Sequence, residues 1–450
     1  MQDIIRQLRT PQTIRDRALI LFNLAQSNQL SGFHCHLSKL PDVADYVIEV
    51  IRSEYPDLNV PFHSRWRHFE VGGTSRLQQF QASLADYSAL EQAKSKLDLA
   101  IISVLLDAGA GANWHYQEPH TNSIYSRSEG LALASFHSFC QGLFSSNPEH
   151  PYQVDSLALQ NLTQPALETA FQVTAQNPLI GISGRLQLLK KLGQVLSNSP
   201  QFFPGSPPRP SDLIHHWLGQ TEVDPPKSRL RLRSGQALER GTFTTAPLFK
   251  RGWGDQNVAN KSAKFSHQLS TVTIFQTILE SLGEIWPGRL TLDGINLGDV
   301  WQYSALPNTG IGSQFIPFHK LSQWLTYSLL EPLQDLGLTI TDLNQLTGLP
   351  EYRNGGLFLD LGVLELKDHA QLEISHKVDS ELIIEWRALT LVLLDQLAEI
   401  IRKKLNLTAQ EFPLVKLLQG GTWTAGRKIA AQLRPGGVPP LRIDSDGTVF

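Results

Sequence analysis

The sequence predicts a mainly helical protein with a few short strands, and three observations carry that expectation. Apolar residues recur at helical spacing through most of the chain, as in "LPDVADYVIEVIRSEY" and "IPFHKLSQWLTYSLLEPLQDLGL". Such segments also carry helix-end chemistry: "DSELIIEWRALTLVLLDQLAEIIRKKL" has Asp379 or Ser380 as cap, acids at its start and basic residues at its end. The third is composition, with 41% apolar and 18% charged residues in a chain of 450, ordinary for a soluble protein with a large core.

In chain order, residues 1–202 form an N-terminal helical part. "MQDIIRQLRTPQTIRDRALILFNLAQ" reads as an amphipathic helix, with acids and bases interleaved with an apolar stripe. "VPFHSRWRHFEVGGTSRLQQF" has no period and many aromatic and basic residues, the character of an ordered loop that lines something. "AKSKLDLAIISVLLDAGAGANW" is a buried helix stopping in a glycine-alanine turn at Trp114. "SRSEGLALASFHSFCQGLF" follows, with Ser126 or Ser128 as cap and Glu129 near its start. Two more helices flank an Asn-Pro in "LTQPALETAFQVTAQNPLIGISGRLQLLKKLGQVL". Residues 203–265, rich in Pro, Gly and basic side chains, read as an inserted flexible segment in which Arg229, Arg231 and Arg233 form a solvated charge run. Residues 266–450 form a C-terminal helical part, and the two helical parts are expected to make one compact unit.

Several functions are disfavoured at this level. With 39 Lys and Arg against 42 Asp and Glu, the net charge of −3 lacks the basic excess of a nucleic-acid binder. The most apolar windows are interrupted by Asp98 and Asp107, so no membrane span is expected, and the start lacks a secretory layout; the protein is expected in the cytoplasm. Two cysteines, Cys35 and Cys140, are too few for a disulfide framework. His34 and His36 flank Cys35, but alternate strand residues face opposite ways and no second ligand cluster follows, so no metal is expected. Walker, dinucleotide, HExxH and GxSxG patterns are absent, and "DAGAGANW" lacks the Gly-Lys-Ser/Thr ending of a phosphate loop.

There remains a set of polar and aromatic residues at turns and helix ends: Trp66, Arg67, His68, Asp107, Trp114, Arg127, Glu129, His137 and Trp423, with His319, Lys320, Glu351, Tyr352 and Arg353 in the C-terminal part. Glu351, in "TGLPEYRNGG", has two readings. It is either a helix-start acid and nothing more, or a carboxylate presented for chemistry from that helix start. Lys320 is a cation in the first turn of its helix, where the dipole disfavours it, so it is either solvated or kept there for a task. Trp324 reads as core and Arg387 as an ion-pair partner.

Seven stretches, "IPFHKLSQWLTYSLLEPL", "LTGLPEYRNGGLFLDLGVL", "SELIIEWRALTLVLLDQLA", "SVLLDAGAGANW", "RSEGLALASF", "LQGGTWTAGRKIAAQ" and "PPLRIDSDGTVF", closely resemble the uracil-catabolism family of fungi and bacteria. The resemblance covers nearly the whole chain outside 203–265, and it implies a place in uracil degradation through ribosylurea. A second, more distant resemblance joins "FHKLSQ", Glu351-Tyr-Arg, "LGVL" and "ELIIEWRAL" to the queuosine-salvage nucleoside hydrolases. That family cleaves an N-glycosidic bond on a helix-hairpin-helix DNA-glycosylase-like architecture, which is the fold implied here. By position, its active-centre lysine and aspartate fall on Lys320 and Glu351. This chain has Glu where that family has Asp, one methylene longer, so the carboxylate must be set back or the sugar placed differently.

The resemblance implies a metal-independent N-ribosyl hydrolase needing no cofactor, with ribosylurea or its phosphate as a small-molecule substrate; other uracil-catabolism enzymes are partners this placement allows. Cleaving a ribosyl C–N bond puts positive charge on the sugar, which a carboxylate stabilises, and the departing nitrogen needs a proton or a hydrogen bond. Glu351 suits the first task, as nucleophile or charge stabiliser, and Lys320 or His319 the second, with Tyr352 and Arg353 as sugar or phosphate contacts and Asp107 or Glu129 orienting ribose hydroxyls. Two alternatives stand beside it: an amide or ureide hydrolase of the same pathway, and a non-catalytic protein that holds an intermediate.

Overall fold

The computed structural model describes residues 1–107, 109–111, 113–219, 222–223, 267–286 and 289–444, and over these the chain is mainly helical with small two- and three-stranded sheets. The opening amphipathic segment is two helices, Gln2–Leu8 and Pro11–Gln26. Pro11 takes the first helical position of the second, and Thr10 caps it by accepting the Thr13 N–H at 3.1 Å. A single continuous helix is ruled out because that cap takes the place of an unbroken turn.

The 25-residue helix Glu381–Leu405 runs through the interior, packing against Pro11–Gln26, Leu40–Glu54 and Tyr352–Asp360. Helix Lys320–Asp335 lies against Ala89–Leu105 on one side and Thr271–Leu282 on the other. Buried apolar residues from Ile14 to Leu441 form one contiguous cluster, so the N- and C-terminal helical parts share a core. Of the 203–265 stretch, residues 203–219 and 222–223 are described, and the first of these is built into that core rather than being a flexible insertion: Phe203, Leu213, Ile214 and Trp217 are buried, and Arg209 donates to Asp98 at 2.9 Å and Glu91 at 2.7 Å. The cluster Arg229, Arg231, Arg233 lies outside the described residues.

Three local features shape the region around Lys320, Glu351 and Trp423. Strand Val300–Gln302 pairs antiparallel with Phe315–Pro317, bringing Asp299 beside the start of helix Lys320–Asp335. Helix Tyr352–Asp360 packs closely on Trp423–Leu433, because Gly426 has no Cβ where one would strike the Arg353 carbonyl. A π-helical turn over Leu418–Thr422, carrying Gly420 and Gly421 against Val60 and Val47, then aims the chain into Trp423. Among the described residues no helix is long and apolar enough to cross a membrane. Cys35 and Cys140 are both unpaired thiols, and burial pushes them up to about 11 and about 12.

Candidate active site

A cavity of about 260 Å³ opens where four segments converge: the turn after helix Ala89–Leu105, the start of helix Arg127–Cys140, and the starts of helices Lys320–Asp335 and Tyr352–Asp360. His68, Asp107, Arg127, Lys320, Glu351, Tyr352, Arg353 and Trp423 all line it, so eight of the residues singled out from sequence meet there.

Glu351 is the N-cap of its helix rather than a first-turn residue. Its two carboxylate oxygens accept the backbone N–H groups of Arg353 and Asn354 at 2.7 Å each, which fixes the side chain in one pose. The two sequence readings of Glu351 therefore describe one geometry: capping the helix also holds a buried carboxylate at the cavity wall. Burial raises its pKa above the usual carboxylate value, while Lys320 and the two N–H bonds work in the opposite direction.

Lys320 is half-buried, and its ammonium makes no hydrogen bond or ion pair among the described residues. Burial lowers its pKa below that of an ordinary lysine, and the nearby charges of Glu351 and Asp107 oppose that shift. A cation at a helix start, with two carboxylates near enough to bias it and none bonded to it, is available to a ligand. Asp107 is held from behind by Arg65, whose Nη1 lies 3.1 Å from Oδ2 and which donates from Nε to Ser103 at 2.8 Å.

Arginines and tyrosine line the mouth. Arg353 donates to the Gly437 carbonyl at 2.7 Å and lies 5.0 Å from the Tyr352 ring centre. Arg127, with a left-handed φ of 54° at the start of its helix, donates to Gly436 at 2.8 Å.

The far wall is aromatic, and sequence reasoning placed only part of it. Trp423 faces the cavity with His63, His68 and Trp324, the last of which the helical spacing alone assigns to the core. The His68 ring meets Trp324 at 5.9 Å and Trp423 at 5.7 Å, edge to face in both cases. Burial lowers His63 to about 4 and His68 well below the ordinary histidine value, so both imidazoles are neutral at pH 7. Gln419, in the π-helical turn, accepts the His63 Nδ1–H through its amide oxygen at 2.9 Å. The signal for this wall was the aperiodic aromatic stretch around "FHSRWRHF".

The other named residues lie elsewhere. His319 sits one residue before Lys320, but its left-handed φ of 48° turns the ring away, and Nε2 contacts the Leu8 carbonyl at 3.1 Å. Burial lowers it to about 4, so it is a neutral structural group rather than a donor to this cavity. Trp114 is buried and donates to the Phe171 carbonyl at 2.9 Å. His137 contacts Glu118 at 3.1 Å, beside the buried Arg76–Glu118 pair. Glu129 does not line the cavity and accepts at 3.0 Å from Arg427, whose guanidinium lies 4.9 Å from the Trp423 ring centre. Trp66 and Arg67 face Ser328 and Glu331, at 2.7 and 2.6 Å.

Over residues 7–234 and 254–450 the chain matches the family model described as "Protein of unknown function (DUF1688)". It is 39% identical over 456 residues to protein urg3 of Schizosaccharomyces pombe, covering 100% of this chain and 99% of that protein. Over 468 residues it is 34% identical to uracil catabolism protein 4 of Lachancea kluyveri, covering 97% of each. With the family model spanning most of its length and both relatives matched almost end to end, this chain belongs to the DUF1688 family, the uracil-catabolism family that its motifs resemble.

Proposed function

We propose that the protein acts in uracil catabolism as a hydrolase of an N-ribosyl bond, with ribosylurea or its phosphate as substrate. The observation that carries this reading is the pairing, across one small cavity, of the Lys320 ammonium, without a partner among the described residues, and the Glu351 carboxylate, locked in place by its own helix. The relative's name, uracil catabolism protein 4, supports the pathway. The remote likeness of the Lys320 and Glu351 motifs to nucleoside hydrolases supports the bond type, and with it a helix-hairpin-helix glycosylase-like architecture.

In this reading the ribose lies against Glu351 and Asp107, with the ureido group toward Trp324 and Trp423. As the C1′–N bond breaks, its electron pair leaves with nitrogen and positive charge grows on the sugar. Glu351, ionised and immobile, stabilises that charge without reorganising. Lys320 hydrogen-bonds or protonates the departing nitrogen, for which its lowered pKa makes it a better acid than an ordinary lysine. Water adds its hydroxyl to C1′ and its other proton makes good the one taken up by nitrogen, restoring the Lys320 ammonium and giving urea with ribose or ribose phosphate. Tyr352, Arg353 and Arg127 stand at the mouth for ribose hydroxyls or a phosphate. The substrate is a small molecule free in the cytoplasm, with no cofactor, nucleic acid or membrane called for.

Incubating the purified protein with ribosylurea and with its 5′-phosphate tests this. Ribose or ribose phosphate should appear in step with urea, and Lys320→Met should abolish the release. A carboxylate product with the glycosidic bond intact would establish ureide hydrolysis instead.

A further inference from the structure

We infer that Asp299 and Arg387 are a positioning pair that fixes Lys320 and Glu351 relative to each other; its catalytic consequence rests on the N-ribosyl hydrolase reading above. Neither residue lines the cavity. Arg387 is 1% exposed in the middle of the interior helix Glu381–Leu405. Its Nη1 and Nη2 each donate to one oxygen of Asp299 at 2.7 Å, its Nε reaches the Pro350 carbonyl at 3.3 Å, and its guanidinium lies 4.0 Å from the Phe318 ring centre.

Asp299 carries the connection onward. Its Oδ2 accepts the Lys320 backbone N–H at 3.0 Å, and its carbonyl accepts those of Phe318 at 2.9 Å and His319 at 3.4 Å. Trp301 donates its indole N–H to Oδ1 at 2.7 Å, so both oxygens are doubly engaged. One buried ion pair thus grips the residue before Glu351 with one end and the backbone of Lys320 with the other.

Stability alone is a poor reason for this arrangement, because well-packed apolar residues usually serve a core as well as a buried ion pair does. Rigidity is a better one. A bidentate guanidinium–carboxylate fork holds angle as well as distance, and a lysine cannot reproduce it. The start of helix Lys320–Asp335 needs such a hold, since it passes through the left-handed His319 and has no side-chain cap of its own at that residue.

Two variants test the inference: Arg387→Lys, and the double variant Asp299→Asn with Arg387→Gln, which removes both charges and leaves no buried ion unpaired. Each is measured for thermal unfolding, for kcat and KM on ribosylurea, and for the acylation rate of Lys320 by an amine-reactive reagent, read by peptide mass spectrometry against the exposed Lys191. Misplacement of this kind is expected to lower kcat about tenfold or more. KM should stay within about threefold, and the Lys320-to-Lys191 labelling ratio should change by at least about threefold. Folded variants with wild-type kcat and an unchanged labelling ratio would overturn the inference, as would failure of both variants to fold. If the wild-type protein releases no ribose, the hydrolase reading fails separately and the labelling ratio alone decides: changed, the positioning role stands; unchanged, it falls.

Discussion

Replacing Glu351 separates its two roles, because the cap and the charge respond differently to three substitutions. Glu351 accepts two backbone N–H groups at 2.7 Å. Glutamine keeps one acceptor but turns its NH2 toward the other N–H, so the loss of capping is the usual ~1 kcal/mol. In a chain of this size that lowers the melting temperature by at most about 2 °C. The charge matters far more to turnover. A full unit charge about 4 Å from the developing sugar cation, at an effective dielectric near 20, is worth roughly 4 kcal/mol. Only part of that charge develops in the transition state, so the expected loss is ~3 kcal/mol, or about 100-fold in kcat. Aspartate is among the best N-caps and keeps the charge, so Glu351→Asp should melt like the wild type while the withdrawn carboxylate costs about tenfold in kcat. Alanine loses both roles. Steady-state ribose release and thermal unfolding on the same preparations check this. Activity that falls only in step with melting temperature across Asp, Gln and Ala would refute a catalytic Glu351, and so would a Gln variant with wild-type kcat.

Other perturbations test other parts of the site. The proposed reaction needs Glu351 ionised and Lys320 protonated, and burial raises the first pKa from 4.5 and lowers the second from 10.5, so the pH–rate profile should be narrower than an ordinary Glu–Lys pair would give. A profile with unshifted limbs would contradict this assignment. Away from the cavity, Arg76 holds Glu118 down from 4.5 to about 2, so this pair's contribution to stability is complete above pH 4.5 and is lost as the pH falls toward 2. Glu118→Gln strands a buried guanidinium and should cost about 3–5 kcal/mol at pH 7 while flattening that acid slope, as read by urea unfolding at several pH values. Trp423→Ala removes one aromatic wall and should raise KM about tenfold, ~1.4 kcal/mol, with kcat nearly unchanged; a kcat effect without a KM effect would place Trp423 in the chemistry instead.

How much of this was legible in the sequence depended on whether the information was local. Helix Lys320–Asp335 announced itself through Leu321, Trp324, Leu325 and Ser328, and Glu351 through the Gly-Leu-Pro turn before it. Lys320, Asp107, Arg127 and Trp423 were marked as charged or aromatic residues at element ends, and the ends that carry them meet at the cavity. His319 misled because its left-handed backbone, which cannot be read from residue type, turns a neighbour of Lys320 to the opposite side. Trp114 and His137 looked like site residues for the same reason that they are good core residues: each has an apolar body and a polar tip, satisfied by Phe171 and Glu118. Trp324 erred the other way, since a tryptophan on the buried stripe of a helix looks identical whether it meets side chains or a cavity. Asp299 lies in a polar connection without period, and only the fold brings it to Arg387. The break after Leu8, which the reading of one amphipathic helix passed over, had its signal in Thr10-Pro11, a cap followed by a first-turn proline.

In the proposed reaction charge develops on a ribosyl carbon held by Glu351, and a secondary isotope effect reports on that carbon. Ribosylurea carrying deuterium at C1′ should be hydrolysed measurably more slowly than the unlabelled compound, because C1′ flattens toward an oxocarbenium ion as the C–N bond breaks. Equal rates for the two, or turnover that opens the ureide while ribose stays attached, would contradict it.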